Sequence, residues 1–569
     1  MSQLFPLGAL YQGEQQCSFA VWAPKATKVE VHLTGPNKRV IPLKPTASGY
    51  HQTLVEGIAP GAQYVYRLDG QSERPDPASR YQPNGVHAAS EIFDPAFGWE
   101  DQGWFGLPLR DYILYELHVG TFTPEGTFEA IIPHLPGLKE LGITAIELMP
   151  VAQFPGGRNW GYDGVYPFAV QNSYGGPREL QRLVNACHQQ GLAVVLDVVY
   201  NHFGPEGNYL NEFGPYFTDR YRTPWGCALN FDGEDSDEVR RYFLENALYW
   251  QRDFHLDALR LDAVHAIRDF SAVPFLQELA RQTHHQAETL NRRCYLIAES
   301  DLNDARLILP EALGGYGLDA QWSDDFHHCL HVLLTGEQEG YYADFGGAKR
   351  FAKVLREGYA YTGQYSAFRK RRHGNSPRLN PPKQFVVYSQ NHDQIGNRMA
   401  GDRLTRLANL EGLKLAAGSV LLSPFTPLLF MGEEYGEPAP FQYVISHTDP
   451  QLVEAVRQGR REEFSGFAWE GEVPDPQAEA TFQQCVLNRD LCRTEDLHRM
   501  LYAFYRELIR LRKTLPAIAQ ADKESLEIQA LEPEQVLRLL YRAPSTPVGV
   551  LLNFAHEPVS LPLELPAGK

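Results

Sequence analysis

The stretch LAVVLDVVYNH (192–202) runs through apolar residues into Asp197 and closes on Asn201 and His202. Three others share its grammar: DALRLDAVHAI (257–267), YLIAES (295–300) and QFVVYSQNHDQIGNR (384–398), which deliver Asp262, Glu299 and Asp393. Short apolar runs bounded by turn signals read as buried strands, and a core gains nothing from a carboxylate at the end of each. One such acid alone is best taken as the first solvated residue after a strand. Four in series read as catalytic strand ends.

Working outward, the stretches between them are helical in pattern. PRELQRLVNACHQQG (177–191) and VRRYFLENALYWQRDF (239–254) repeat apolar residues at three- and four-residue spacing. Strand alternating with helix implies parallel strands joined by right-handed crossovers. Further strands are predicted in 112–120, 143–151, 318–326 and 426–434, which brings the count to eight. The expected fold is α/β, a (β/α)8 TIM barrel, whose strands all open at their C-terminal ends onto one active-site face. An open doubly wound sheet is the alternative, but no G-x-G-x-x-G turn follows any of these strands.

At 569 residues the chain exceeds what one barrel needs. Residues 1–95 alternate polar and apolar between Pro, Gly and Asn turns and predict an N-terminal β-sandwich; 96–110, rich in Gly, Pro and Trp, form a linker. The barrel is expected over 111–518, ending in the amphipathic stretch 495–518, and a C-terminal β domain over 519–569. The formal net charge of −18 argues against nucleic acid or an anionic membrane as partner and suits a neutral substrate. Seven scattered cysteines without C-x-x-C spacing read as thiols of a reducing compartment. With no basic start or long apolar run at the N-terminus, a cytoplasmic location is expected.

Several carboxylates, histidines and aromatic rings on one barrel mouth suit the cleavage of an acetal between sugars. One carboxylic acid protonates the leaving oxygen while a carboxylate on the opposite face captures the oxocarbenium-like centre. Sugar C–H faces bind to rings, and Trp160, Tyr162, Tyr166, Trp225 and Trp322 lie in or beside segments that follow predicted strands. Metal-assisted hydrolysis through His202, His265 and His392 is the rival chemistry. No H-x-H or H-E-x-x-H element supports it, so no metal and no cofactor are expected.

In order and spacing, DVVYNH, LRLDAVH, IAES and SQNHDQ resemble the four sequence regions of the α-amylase family of glycoside hydrolases. The leading β domain is similar to the carbohydrate-binding sandwich that precedes the barrel in its branching, debranching and trehalose-releasing members. The resemblance implies that Asp262 is the nucleophile, Glu299 the general acid and base, and Asp393 the acid that stabilises the transition state. It also implies that Tyr162 stacks on the sugar at the cleavage point, while His202 and His392 hydrogen-bond it. Asn201 falls where many relatives ligate calcium, but the sequence offers no acidic partner cluster.

The residues support this division of roles. Arg260 lies two before Asp262, on the same strand face, and should keep it ionised. Glu299 lacks a cationic neighbour in sequence and emerges from an apolar run beside other anions, which should keep it protonated. Asp197, deeper in its strand, is expected to be structural and to pair with Arg260 or with neighbouring strand ends.

Within the family, ELHVGTFTPEGTF (116–128), WSDDFHH (322–328), GEQEGYYADF (336–345) and QNHDQIGNR (390–398) most resemble the trehalose-releasing members. That implies a maltooligosyl trehalose substrate, cut at the α-1,4 bond next to the terminal trehalose unit. Expected substrate contacts are Tyr162, His202, Arg260, Leu261, Ala263, Val264 and His265; Asp324, Asp325, Phe326, His327 and His328; and His392, Gln394, Ile395, Gly396 and Asn397. Glu433 and Glu434 are further candidates. A trehalose-forming synthase is implied as a metabolic partner. A branching-type transferase and a noncatalytic carbohydrate-binding protein are the alternatives, the second weakened by the presence of all three acids.

Overall fold

Eight short strands close into a parallel barrel: β1 Leu114–Leu117, β2 Ala145–Leu148, β3 Ala193–Val198, β4 Ala258–Leu261, β5 Tyr295–Ala298, β6 Ala320–Trp322, β7 Phe385–Val387 and β8 Thr426–Phe430. Each lies inside a predicted segment. The computed structural model describes residues 5–35, 38–464, 471–533, 535–543 and 546–561.

The barrel interior is layered by period-two alternation along the strands. Its lower layers are apolar, with small Ala145, Ala193, Ala258 and Ala320 leaving room for Leu114, Val195, Ile297 and Leu428. One pleat higher, Glu116, Glu147, Asp197 and Arg260 replace them, all essentially buried. Outward-facing Tyr115, Leu117, Ile146, Leu148, Leu259 and Leu261 join the shell under the helices. Charge therefore rises through the barrel towards the C-terminal ends of its strands.

Two antiparallel sheets precede the barrel. One orders Gly8–Gly13, Gln16–Trp22, Tyr50–Glu56 and Lys44–Pro45; the other orders Arg39–Pro42, Val29–Leu33, Gln63–Leu68 and Ser72–Arg74. Phe19, Trp22, Val31, Tyr64 and Tyr66 are buried in their core. Trp22 also meets Tyr216 edge-on at 5.1 Å, and Tyr242 Oη donates to Pro77 O at 2.6 Å, so the sandwich is seated on the barrel.

The stretch 96–110 is a fixed strap across the barrel's N-terminal end. Trp104 stacks on His188 at 4.9 Å and Trp99 on His255 at 3.8 Å. Asp101 receives His188, His255 and Arg292 at 2.8, 2.8 and 2.9 Å.

At the other end, the helix Asp496–Thr514 buries Leu501, Tyr505, Leu508 and Ile509, and a three-stranded antiparallel sheet follows (Leu526–Leu531, Val536–Tyr541, Val548–Asn553). Residues 562–569 of the expected C-terminal domain lie outside the described residues. Among the described residues no helix is long and apolar enough to cross a membrane.

Candidate active site

Arg260 organises the barrel mouth. Asp197 and Arg260 are register partners on β3 and β4, and Arg260 Nη1 donates to Asp197 Oδ1 and Oδ2 at 3.0 and 2.8 Å. The same nitrogen donates to Asp262 Oδ1 at 2.8 Å, and Nη2 stands 3.7 Å from Glu299 Oε2. The guanidinium lies over the Trp322 ring, 4.3 Å from its centroid. One buried cation thus serves three carboxyls, an arrangement that costs desolvation and fixes geometry. Along the chain Glu299 has no cationic neighbour; the barrel supplies one from the adjacent strand.

Asp262 and Glu299 are the first residues past β4 and β5. Asn201 Nδ2 donates to Asp262 Oδ2 at 2.7 Å and to its carbonyl at 2.8 Å. The position considered for calcium thus clamps Asp262. Among the described residues no group of three or more His, Cys, Asp or Glu side chains is arranged to hold a metal ion. Ala263 takes a left-handed backbone at φ 40°, ψ 49°, and its N–H donates to Glu299 Oε2 at 2.6 Å. Strain at a non-glycine residue survives where surrounding structure holds it. Here it aims an amide at the second carboxyl.

The two acids are driven apart. Burial alone would raise the pKa of Asp262, but the Arg260 charge, the His202 charge and hydrogen bonds from Asn201 and Arg260 bring it below the usual aspartate value. For Glu299 burial dominates; Arg260 opposes it, and the charges of Asp262, Asp324 and Asp393 add to it, so the net shift is well upward. Asp262 is held ionised and Glu299 protonated.

Asp393 sits in the short helix His392–Gly396 after β7, where Asn397 Nδ2 donates to its Oδ1 at 2.7 Å. Asp324, pushed up to about 7 chiefly by burial, accepts from Tyr388 Oη and from Gln394 Nε2, the latter at 3.4 Å. Tyr162 lies nearly parallel to His392, with ring centroids 5.2 Å apart, and its Oη donates to Asp197 Oδ2 at 2.6 Å. His202 stacks on Trp225 at 4.5 Å and 5° between planes. Trp225, half exposed, comes from the turn joining the hairpin strands Phe217–Thr223 and Gly226–Leu229.

Several expected contacts lie elsewhere. Phe326 is fully buried between Phe351 and Phe425, because its helix turns that face into the core. Asp325 accepts from Asn303 Nδ2 and Ala360 N, both at 2.7 Å, and braces a loop. His327 spans Ser389 O and Tyr342 Oη at 2.7 and 2.9 Å, and His328 packs on Phe345. Leu261, Val264 and Ile395 are core side chains, and Gly396 backs onto Trp160, where a Cβ would have no room. His265 turns aside towards Asp301, 4.0 Å away. Glu433 is buried against Ser389 and Tyr505, and Glu434 against Tyr115. Of the aromatic candidates, Trp160 stacks on Phe441 and Tyr166 Oη donates to Val86 O. The site gathers Tyr162, His202, Arg260, Asp262, Ala263, Glu299, Asp324, His392, Asp393, Gln394 and Asn397.

Glu116 was missed. Its Oε2 accepts the His392 backbone N–H at 3.1 Å and its Oε1 bonds His392 Nδ1. The signal was present, since YELHVG carries an acid inside an apolar strand.

A family model described as "Alpha amylase, catalytic domain" matches residues 88–223, and one described as "Carbohydrate-binding module 48 (Isoamylase N-terminal domain)" matches 6–85. A malto-oligosyltrehalose trehalohydrolase of Saccharolobus solfataricus is 49% identical over 500 residues, covering 88% of this chain and 86% of its own. The chain belongs to the malto-oligosyltrehalose trehalohydrolase family. A family member from Arthrobacter ramosus is 48% identical, with 94% of each chain covered. A crystal structure from Salmonella typhimurium, of a protein described as an alpha amylase, superposes with a TM-score of 0.92 at 41% identity, covering 99% of this chain and 95% of the other. Family and fold therefore agree with the resemblance seen in the four motifs.

Proposed function

We propose that this chain hydrolyses the α-1,4 bond next to the terminal trehalose unit of maltooligosyl trehalose, with retention, releasing trehalose and a maltooligosaccharide. The supporting observation is the opposed poise of Asp262 and Glu299 about one guanidinium, in a chain that shares nearly half its residues with trehalohydrolases over most of their length.

Asp262 attacks the anomeric carbon while Glu299 gives its proton to the glycosidic oxygen, so the bond breaks and the trehalose-bearing product leaves neutral. Esterification removes the charge on Asp262, which was one cause of the raised Glu299 pKa. The deprotonated Glu299 then takes a proton from water, which attacks the glycosyl ester and frees Asp262. Asp393, steadied by Asn397, binds sugar hydroxyls as positive charge develops at the ring. Tyr162 supplies a ring face, and Asp324 with Gln394 lies on the side of the leaving disaccharide.

The enzyme would draw its substrate from a trehalose-forming synthase and act in the cytoplasm, in keeping with seven unpaired cysteines. Residues 111–518 would form the catalytic unit, with 1–95 and 519–569 as flanking β domains.

The test is incubation with maltotriosyl trehalose and, separately, with maltopentaose. Fast trehalose release from the first and slow cleavage of the second is the expected result. Equal rates on both, or longer chains without free trehalose, would overturn the reading.

A further inference from the structure

Both ring nitrogens of His392 meet protein atoms that define its state. Nε2 lies 2.8 Å from Tyr162 Oη. That hydroxyl has a single proton and gives it to Asp197 Oδ2, a carboxylate at neutral pH because Arg260 opposes the burial that lifts its pKa to about 6. Tyr162 can therefore only accept from His392, so Nε2 carries a proton. Nδ1 faces Glu116 Oε1, and the other Glu116 oxygen accepts the His392 backbone N–H at 3.1 Å. Ring position is fixed as well: Trp160 meets the imidazole edge-on at 5.8 Å and Trp322 lies 6.1 Å away.

We propose that Glu116 is a positioning residue of the active site: it holds His392 as an imidazolium whose Nε2–H points at Tyr162. Hydrogen bonds then run unbroken from Glu116 through His392, Tyr162, Asp197 and Arg260 to Asp262. The orientation of Asp262 is thus tied to β1, three strands away. The proposal rests on the reading of Asp262 as the nucleophile.

The groups around His392 favour this charge state. Burial disfavours the cation, yet the Glu116 charge and hydrogen bond, with the charge of Asp393, carry the His392 pKa above the ordinary histidine value; Arg260 on β4 opposes them. Asp197 on β3 faces it through Tyr162. His118, just past β1, is driven to about 4 by burial and stays neutral. Glu147, the register partner of Glu116 on β2, is pushed well upward by burial, and neither of its carboxyl oxygens has a hydrogen-bond partner. Glu147 is therefore neutral and does not compensate His392. Glu116 does.

The test compares wild type with Glu116→Gln and Glu116→Asp. An amide at 116 can still accept the backbone N–H and face Nδ1, so it removes the charge while retaining the shape. His392 protonation is followed by NMR of histidine-labelled protein, assigned with His392→Asn, and turnover is followed on maltotriosyl trehalose across pH. In E116Q the His392 titration should move down by about one pH unit or more, a tenfold change in proton affinity. Turnover should fall at least tenfold, with the alkaline limb moved to lower pH, and E116D should recover part of both. A His392 titration unchanged in E116Q overturns the proposal. So does a variant whose melting temperature falls while its pH profile stays in place, because that is all a structural role would produce. Should E116Q not fold, an E116D protein with wild-type titration and wild-type pH profile overturns it equally. The titration needs no substrate, so a wild-type protein that released no trehalose would count against the substrate assignment alone.

Discussion

Asp262 and Glu299 lie against different nitrogens of the same guanidinium, Arg260 Nη1 at 2.8 Å from the first and Nη2 at 3.7 Å from the second. The shorter contact helps lower the Asp262 pKa; the longer one does not offset burial and the neighbouring anions at Glu299. Activity needs Asp262 ionised and both Glu299 and His392 protonated. The pH profile of kcat/KM should therefore be bell-shaped, with an acid limb below the ordinary aspartate range and an alkaline limb well above the ordinary glutamate range. A profile falling away between pH 4 and 5 on the alkaline side would be incompatible with this pairing.

Isosteric amides separate chemistry from folding. Glu299→Gln removes the proton donor and should cost on the order of 10²–10⁴-fold in turnover. Asp262→Asn removes the nucleophile and should cost at least as much. Neither should unfold the protein, because Arg260 retains two bonds to Asp197. Asp197→Asn takes the main partner from a buried guanidinium and should cost roughly 3 kcal/mol of stability as well as activity. Chemical denaturation of the three variants beside their rates checks the contrast, and equal stability losses in all three would refute it.

The barrel and its acids were legible because strand ends and helix periods are local signals, and period-two alternation placed Arg260 beside Asp262. What the alternation could not supply was proximity across strands. Arg260 reaches Glu299 on β5, and Glu116 reaches His392 after β7, only once the barrel closes. The stretch WSDDFHH misled for a related reason. After Trp322, which ends β6 under Arg260, it enters the helix Asp324–Thr335, so successive residues rotate by about 100° and Asp324 faces the site while Phe326 enters the core.

Trp225 stands at a hairpin turn far from the four motifs in sequence, yet its indole covers the His202 ring at 4.5 Å. Such a stack is worth about 0.5–1.5 kcal/mol. With the indole half exposed, removing it leaves no core cavity. Trp225→Ala should lower kcat/KM by roughly three- to tenfold with an unchanged melting temperature. A variant with wild-type kinetics would mean that the hairpin does not steady His202.

The strap under the barrel predicts how stability varies with pH. His188 lies between Asp101 and Asp257 at 2.8 and 2.9 Å, and its pKa is raised: burial opposes the shift, but the Asp257 charge and the hydrogen bonds to both acids prevail. A histidine with a raised folded pKa stabilises fully below its unfolded value near 6.5, and the benefit is lost as pH rises through the folded value. Asp101 has the opposite sign. Burial would raise it, but hydrogen bonds from His188, His255 and Arg292 carry it far below the ordinary aspartate range, so its contribution is present above about pH 4 and lost as pH falls. The strap should therefore hold best between about pH 4.5 and 6.5, with thermal stability declining towards pH 9. His188→Gln keeps a polar side chain without the charge. It should cost about 1–3 kcal/mol near pH 6 and flatten the alkaline decline. Calorimetry of both proteins at pH 5, 6.5 and 8.5 decides the matter, and parallel curves for wild type and H188Q would show that the alkaline loss arises elsewhere.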